Sequence, residues 1–153
     1  MKMDGNIRVA TEAKYKELYN NMKSYGATED FHALFFVCAC LGYRQGKIKA
    51  IPKRDDRFWS RTITPPEWAC YYAMILEQNG FDYDKVADDK DVLSSIEGYA
   101  HAGMDILIEE FLGDFLLPSS KSSDPQLDPT FCKELPKQFV HFLFDQSESE
   151  SLE

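Results

Sequence analysis

The chain has 153 residues, with 44% apolar and 14% aromatic side chains, enough to bury a core without disulfide or metal staples. Mean hydropathy is negative and no run approaches the roughly 18 apolar residues of a membrane helix, which excludes a membrane-spanning reading. The net charge of −9 disfavours a protein that wraps nucleic acid over its whole surface.

The opening Met1-Lys2-Met3-Asp4-Gly5-Asn6 has no apolar signal core, so a cytoplasmic location is expected. Residues 6–10 alternate as a short strand does, with Ile7 and Val9 on one face. Thr11 is positioned to cap a helix from Glu12 to about Ser24, with Tyr15, Leu18, Tyr19 and Met22 as its stripe and Gly26 as its stop. Thr28 suits the cap of a second helix. There Phe31, Leu34, Phe35, Cys38 and Leu41 recur at steps of three and four, and Ala33, Phe36, Val37 and Ala39 fill the remaining faces. A helix apolar nearly all round is a buried one, and Gly42 is expected to end it.

Residues 43–63 form an irregular basic ribbon or loop broken by Gly46 and Pro52, with Phe58 and Trp59 as fasteners. Thr64-Pro65-Pro66-Glu67 is a helix start with a capping box, and that helix runs to Asn79. The longest helix is expected from Asp89 to Leu112, with Glu97, Asp105, Glu109 and Glu110 on its wet side. Gly98 and Gly103 within it each cost about 1 kcal/mol against Ala, which implies a closely packed neighbour. Residues 118–129, rich in Ser, Pro and Asp, read as a linker, 130–145 as a last helix split or kinked by Pro136, and 146–153 as a disordered acidic tail ending in a Leu152-Glu153 cloning scar. The expected fold is mainly α: a core domain over 1–117, with about five helices around the buried second one.

Chemistry-bearing patterns are few. Cys38 and Cys40 sit about 200° apart on a helix and cannot share a metal, and no CxxC is present. His32, His101 and His141 fall on three helices and none reads as part of a ligand pattern. Asp88-Asp89-Lys90-Asp91 reads as acidic dressing of a helix N-terminus, because it lacks the spaced oxygens and glycine of a calcium loop. No nucleophile elbow, P-loop, HExxH or GxGxxG occurs, so neither an enzyme nor a cofactor is expected.

The unusual feature is charge segregation. Arg44, Lys47, Lys49, Lys53, Arg54, Arg57 and Arg61 face only Asp55 and Asp56, while the rest of the chain holds ten basic and 24 acidic residues. Cations at this spacing with Trp59 among them suit phosphate contact plus stacking. They equally suit pairing with the acidic stretch 77–114 of the same chain, or simple solvation. The order strand, helix, turn, helix also matches ribbon-helix-helix modules, in which strands of two chains pair and read DNA.

Residues 31–51, FHALFFVCACLGYRQGKIKAI, together with the later Ile96, Gly98, Tyr99, Ala100, Gly103, Ile106 and Leu107 and the opening IRVATEAKYKELY, resemble the Dnd system-associated protein 4 family. These small proteins accompany bacterial DNA phosphorothioation gene clusters. The resemblance covers roughly residues 7–112 and rests on packing motifs. It implies a bacterial cytoplasmic, non-catalytic accessory protein of a modification or restriction system acting against phage. Its partners would be DNA, other proteins of the cluster or a second copy, met through Arg44, Lys47, Lys49, Lys53, Arg54, Arg57, Trp59 and Arg61. The alternative is an acidic protein–protein adaptor with no nucleic-acid contact.

Overall fold

A capping box opens the helix Pro65–Gln78. The Thr64 side chain accepts from the Glu67 backbone N–H, and the Glu67 carboxylate accepts from the Thr64 N–H at 2.9 Å. In the computed structural model, which describes residues 4–120 and 123–151, five helices and a two-stranded antiparallel sheet form a mainly α fold. The elements are β1 (Arg8–Glu12), α1 (Lys16–Ser24), α2 (Phe31–Arg44), β2 (Arg54–Trp59), α3 (Pro65–Gln78), α4 (Asp89–Glu110) and α5 (Leu135–Ser151). No helix among the described residues is long and apolar enough to cross a membrane.

The second helix is the centre of the core, as its all-round apolar pattern requires. Leu34, Phe35, Cys38, Ala39, Leu41 and Gly42 are buried, with Phe35 edge-on to Phe58 and Tyr71. Helix α4 crosses it at backbone contact. A Cβ on Gly103 would stand 1.6 Å from the Cys38 carbonyl oxygen, and one on Gly42 would stand 2.1 Å from that of Tyr99. The packing neighbour expected at Gly103 is therefore α2 itself. Gly42 lies inside α2 rather than ending it, and Gly46, at φ +64°, follows the helix end. The atoms nearest to a Cβ on Gly98 would be the Ile48 side chain and, at 3.4 Å, the Lys49 carbonyl oxygen.

Three expected boundaries move for stated reasons. The first strand is Arg8–Glu12 rather than 6–10, because its ladder partner lies more than forty residues downstream. Thr11 belongs to that strand, and its hydroxyl accepts from Arg57 Nε at 2.7 Å instead of capping a helix. Asp30, not Thr28, caps α2 by accepting from the Phe31 N–H.

A last set of aromatics docks α5. Phe111 stacks on Phe142 and tilts on Phe115 and Phe139, and Phe115 meets Phe131 edge-on. Pro136 sits in the first turn of α5, where no N–H is needed, so it neither kinks nor splits the helix. The helix continues through Ser151, so residues 146–151, expected as a disordered tail, have helical backbone; Leu152 and Glu153 lie outside the described residues. Of the expected linker 118–129, the described residues 118–120 and 123–129 are held against the domain. Ser120 and Leu127 are buried, and the Leu127 N–H donates to Asn21 Oδ1 at 3.0 Å.

Candidate nucleic-acid or partner interface

Placing each basic side chain decides what the +5 segment can do. Strand β2 pairs with β1 in the register Arg8 opposite Trp59, Val9 opposite Phe58 and Ala10 opposite Asp56, so Arg57 is the extra residue of a bulge. The bulge turns Arg57 inward. Its guanidinium is 4% exposed, lies against Asp55 at 3.1 Å, donates to Thr11 and to the Glu12 carbonyl, and stands 5.5 Å from the Tyr19 ring centroid. Such a group is fixed in the core and cannot reach a phosphate.

The bulge has a second consequence. The Ala10 N–H donates to Glu97 Oε2 of α4 at 2.7 Å. Glu97 is 4% exposed and its other oxygen pairs with Arg54 at 2.8 Å, which corrects its expected place on the wet side of α4. Two turns on, Asp105 accepts from Lys49 Nζ and from Tyr15 Oη, each at 2.7 Å. The pairing of the basic segment with the acidic stretch is thus observed at Lys49 and Arg54. Arg44, in the last turn of α2, donates to the Gln146 carbonyl of α5.

What remains outward is Lys47, Lys53, Arg61 and Trp59. Trp59, 37% exposed, carries the Arg8 guanidinium 4.5 Å and the Arg61 guanidinium 4.8 Å from its ring centroid. Arg8, itself 3.5 Å from Asp56, is a member of this surface absent from the sequence-derived site; its alternation with buried Val9 was the signal for it. The ribbon-helix-helix reading loses its basis in a free strand, since β1 already pairs with β2 of its own chain.

Behind the sheet lies a polar stripe, buried at Glu97 and His101 and half-buried at Asp105. Glu97, His101 and Asp105 recur every four residues along α4, a spacing that the sequence reading passed over. With Thr11, Glu12, Tyr15 and Tyr19, the first two line a void of about 10 Å³, close to the room for one water. His101 Nδ1 is buried without a hydrogen-bond partner. Burial pushes the His101 pKa below its ordinary value, against the opposing pull of Asp105 and Glu12, with Lys14 and Lys49 acting in the same direction as burial. Burial pushes Asp105 up, but the hydrogen bonds from Lys49 and Tyr15 outweigh it and hold the carboxyl below its usual range.

A histidine with a depressed folded pKa binds its proton more readily when unfolded. Its contribution to stability is therefore complete above about pH 6.5 and falls as pH drops from there through the folded pKa. Urea midpoints between pH 7.5 and 5 should decline for the wild type and decline less for His101→Leu. Parallel declines would show that His101 does not titrate between the two states.

An open cleft of about 450 Å³ beside Tyr15 and Asp105 is lined by Lys14, Ile108, Glu109, Asp114 and Leu116. Among the described residues no three His, Cys, Asp or Glu side chains converge to hold a metal ion. No protein-family model, curated protein or solved structure matches the chain.

Proposed function

We propose that this protein works by contact, as a non-catalytic acidic adaptor in a bacterial DNA phosphorothioation-linked modification or restriction system, and that it engages a basic protein surface through the turn between α3 and α4. The placement in such a system rests on the family resemblance. The preference for a protein partner rests on charge. Lys49, Arg54 and Arg57 are committed within the chain, and the net charge of −9 repels phosphate.

The observation that carries the docking surface is Phe81. Its φ is +63°, directly after Gly80 at the same angle, a conformation that strains a bulky side chain. Its N–H closes a Schellman bond to the Leu76 carbonyl at 2.7 Å. A residue at that position ordinarily folds its side chain back on the helix, but Phe81 is 65% exposed and nearby Tyr83 is 70% exposed. In the sequence Asp82, Asp84 and Asp88 flank the two aromatics, with Lys85 among them, and all are exposed. A strained backbone that presents two aromatics among carboxylates fits a partner with an apolar pocket and a cationic rim.

Phe81→Gly separates this role from folding. It removes the strain, at the cost of a more flexible unfolded chain, so the variant should be between neutral and about 1 kcal/mol more stable. Pull-downs with proteins encoded in the same cluster should lose the partner that the wild type retains at low salt. A variant that keeps the partner with unchanged affinity would reject the surface.

A second reading has one observation in its favour, the Arg8, Trp59 and Arg61 cluster, which suits a base or sugar stacked at a phosphate backbone. A salt titration with single-stranded and duplex DNA tests it, using Arg61→Ala because Arg57 variants would disturb the core. Binding at low salt with a slope that falls by about one unit in the variant supports DNA contact, and no binding at low salt rejects it.

A further inference from the structure

Asn79 and Gly80 stand directly before the strained Phe81. Of the four asparagines, Asn6, Asn20, Asn21 and Asn79, only Asn79 precedes a glycine. The order matters chemically. A main-chain nitrogen can attack the side-chain amide of the residue before it, and a glycine has no Cβ to hinder the approach. Both residues are exposed. Asn79 caps the C-terminus of α3 at φ −117° and ψ 27°, and its N–H reaches the Ile75 and Leu76 carbonyls only at 3.2 Å each. The end of a helix is where backbone bonds open first.

The reaction balances with water alone. The Gly80 nitrogen bonds to the Asn79 Cγ, the Cγ–Nδ2 bond breaks, and ammonia leaves with the proton that Gly80 gives up. Water then opens the cyclic imide at either carbonyl. Opening at Cγ leaves an ordinary aspartate. Opening at the main-chain carbonyl leaves an isoaspartate, whose main chain runs through Cβ and Cγ and is longer by a methylene.

The folded turn holds this chemistry back. At ψ 27° the Gly80 nitrogen stands roughly opposite Cβ across the Cα–C bond, and Asn79 Nδ2 donates to the Ile75 carbonyl at 2.7 Å. Ring closure starts only when the turn opens, so that Nδ2 leaves Ile75 and ψ rotates. The isoaspartate cannot close the turn again. The Phe81 N–H meets the Leu76 carbonyl at 2.7 Å only with the ordinary number of main-chain atoms between them, and the added methylene displaces it.

We infer that Asn79–Gly80 is a site of spontaneous deamidation whose isoaspartate product dismantles the Phe81 turn. As a control on docking, this rests on the function proposed above. A partner seated on Phe81 keeps the turn closed and its copy intact, whereas an unoccupied copy is inactivated by the opening that the partner would have prevented.

The test holds the full-length chain at neutral pH and physiological temperature, samples it over weeks and maps its peptides by mass spectrometry, with isoaspartyl methyltransferase labelling to identify the linkage. Asp4–Gly5 can form the same imide by losing water, so the linkage is assigned peptide by peptide. Residue 79 should convert, with isoaspartate as the larger product, while Asn6, Asn20 and Asn21 stay amides. Asn79→Gln, whose longer side chain cannot close the same ring, should block the conversion. Isoaspartyl chains, separated by ion exchange, should lose hydrogen-exchange protection at the Phe81 N–H. Freshly purified Asn79→Asp carries the same charge through an ordinary linkage and should keep that protection within about fivefold of wild type. A residue 79 that stays an amide as long as Asn20 and Asn21 would overturn the inference, as would an isoaspartyl chain with Phe81 still protected. Neither readout needs a partner, so either failure would leave the docking surface standing. An isoaspartyl chain that loses Phe81 protection yet retains its partner would reject the docking surface and support the deamidation site.

Discussion

Gly103→Ala should abolish or nearly abolish the native fold, and Gly42→Ala should come close to it. The added methyl at residue 103 would sit 1.6 Å from the Cys38 carbonyl oxygen and 2.5 Å from its carbon, which are backbone atoms inside a helix and cannot turn aside. At residue 42 the obstacles are the Tyr99 carbonyl and the Gly103 nitrogen. Alanine gains about 1 kcal/mol of helix propensity over glycine in an isolated helix. Against that, α2 and α4 must separate along the most buried seam of the molecule, where Leu34, Phe35, Ile96 and Leu107 are all fully excluded from water. Overpacking that shifts backbone costs at least about 3 kcal/mol, a large part of a small domain's stability. Gly98→Ala is the internal control. Its methyl would meet Ile48 Cγ1 at 2.6 Å, but that side chain is 56% exposed and free to move. Chemical denaturation should place Gly98→Ala within about 1 kcal/mol of wild type, with the propensity gain offsetting the adjustment. If all three variants behave alike, helix propensity rather than the α2–α4 contact governs these positions.

These glycines also show where sequence reasoning succeeds and where it stops. A glycine in a helix pattern has two uses, a close contact or a stop, and the local sequence does not distinguish them. Gly103 was legible as a contact because apolar periodicity continues on both sides of it, whereas Gly42 follows an apolar run and resembles a stop. Caps divide in the same way. Thr64 and Glu67 satisfy one another within four residues, so the capping box is written in the local sequence. Thr11 has the right residue type before a helix, but β2 competes for it from more than forty residues away and wins, since Arg57 supplies a buried donor that needs its oxygen. The charge segregation of the basic segment was visible in the sequence, and so was pairing with the acidic stretch as one of its readings. Which cations stay free was not visible, because it depends on the β-bulge that turns Arg57 inward and leaves Arg8, Trp59 and Arg61 on the outer surface.

Glu97 is the residue whose role depends most on that bulge, and Glu97→Ala should cost about 3 kcal/mol. The irregularity between Val9 and Ala10 leaves the Ala10 N–H turned towards α4, where the buried Glu97 carboxylate accepts it at 2.7 Å. Alanine would strand that donor and also leave Arg54 without its partner at 2.8 Å. Glu97→Gln keeps one acceptor for Ala10 but turns its amide NH2 towards Arg54, losing the charge and that second acceptor; it should still cost less than Glu97→Ala, about 1 kcal/mol, because the Arg54 end of the pair is 56% exposed and screened. Arg54→Ala should fall between the two, since it leaves a buried carboxylate with one hydrogen bond and no counter-charge. The double variant Glu97→Ala/Arg54→Ala should be little worse than Glu97→Ala alone, because the arginine has nothing left to neutralise. Urea unfolding with an unchanged denaturant slope would attribute the differences to the native contact rather than to the denatured chain. Glu97→Ala and Glu97→Gln of equal stability would mean that the N–H of Ala10 finds another acceptor, and that the tie between the sheet and α4 is carried by the apolar core alone.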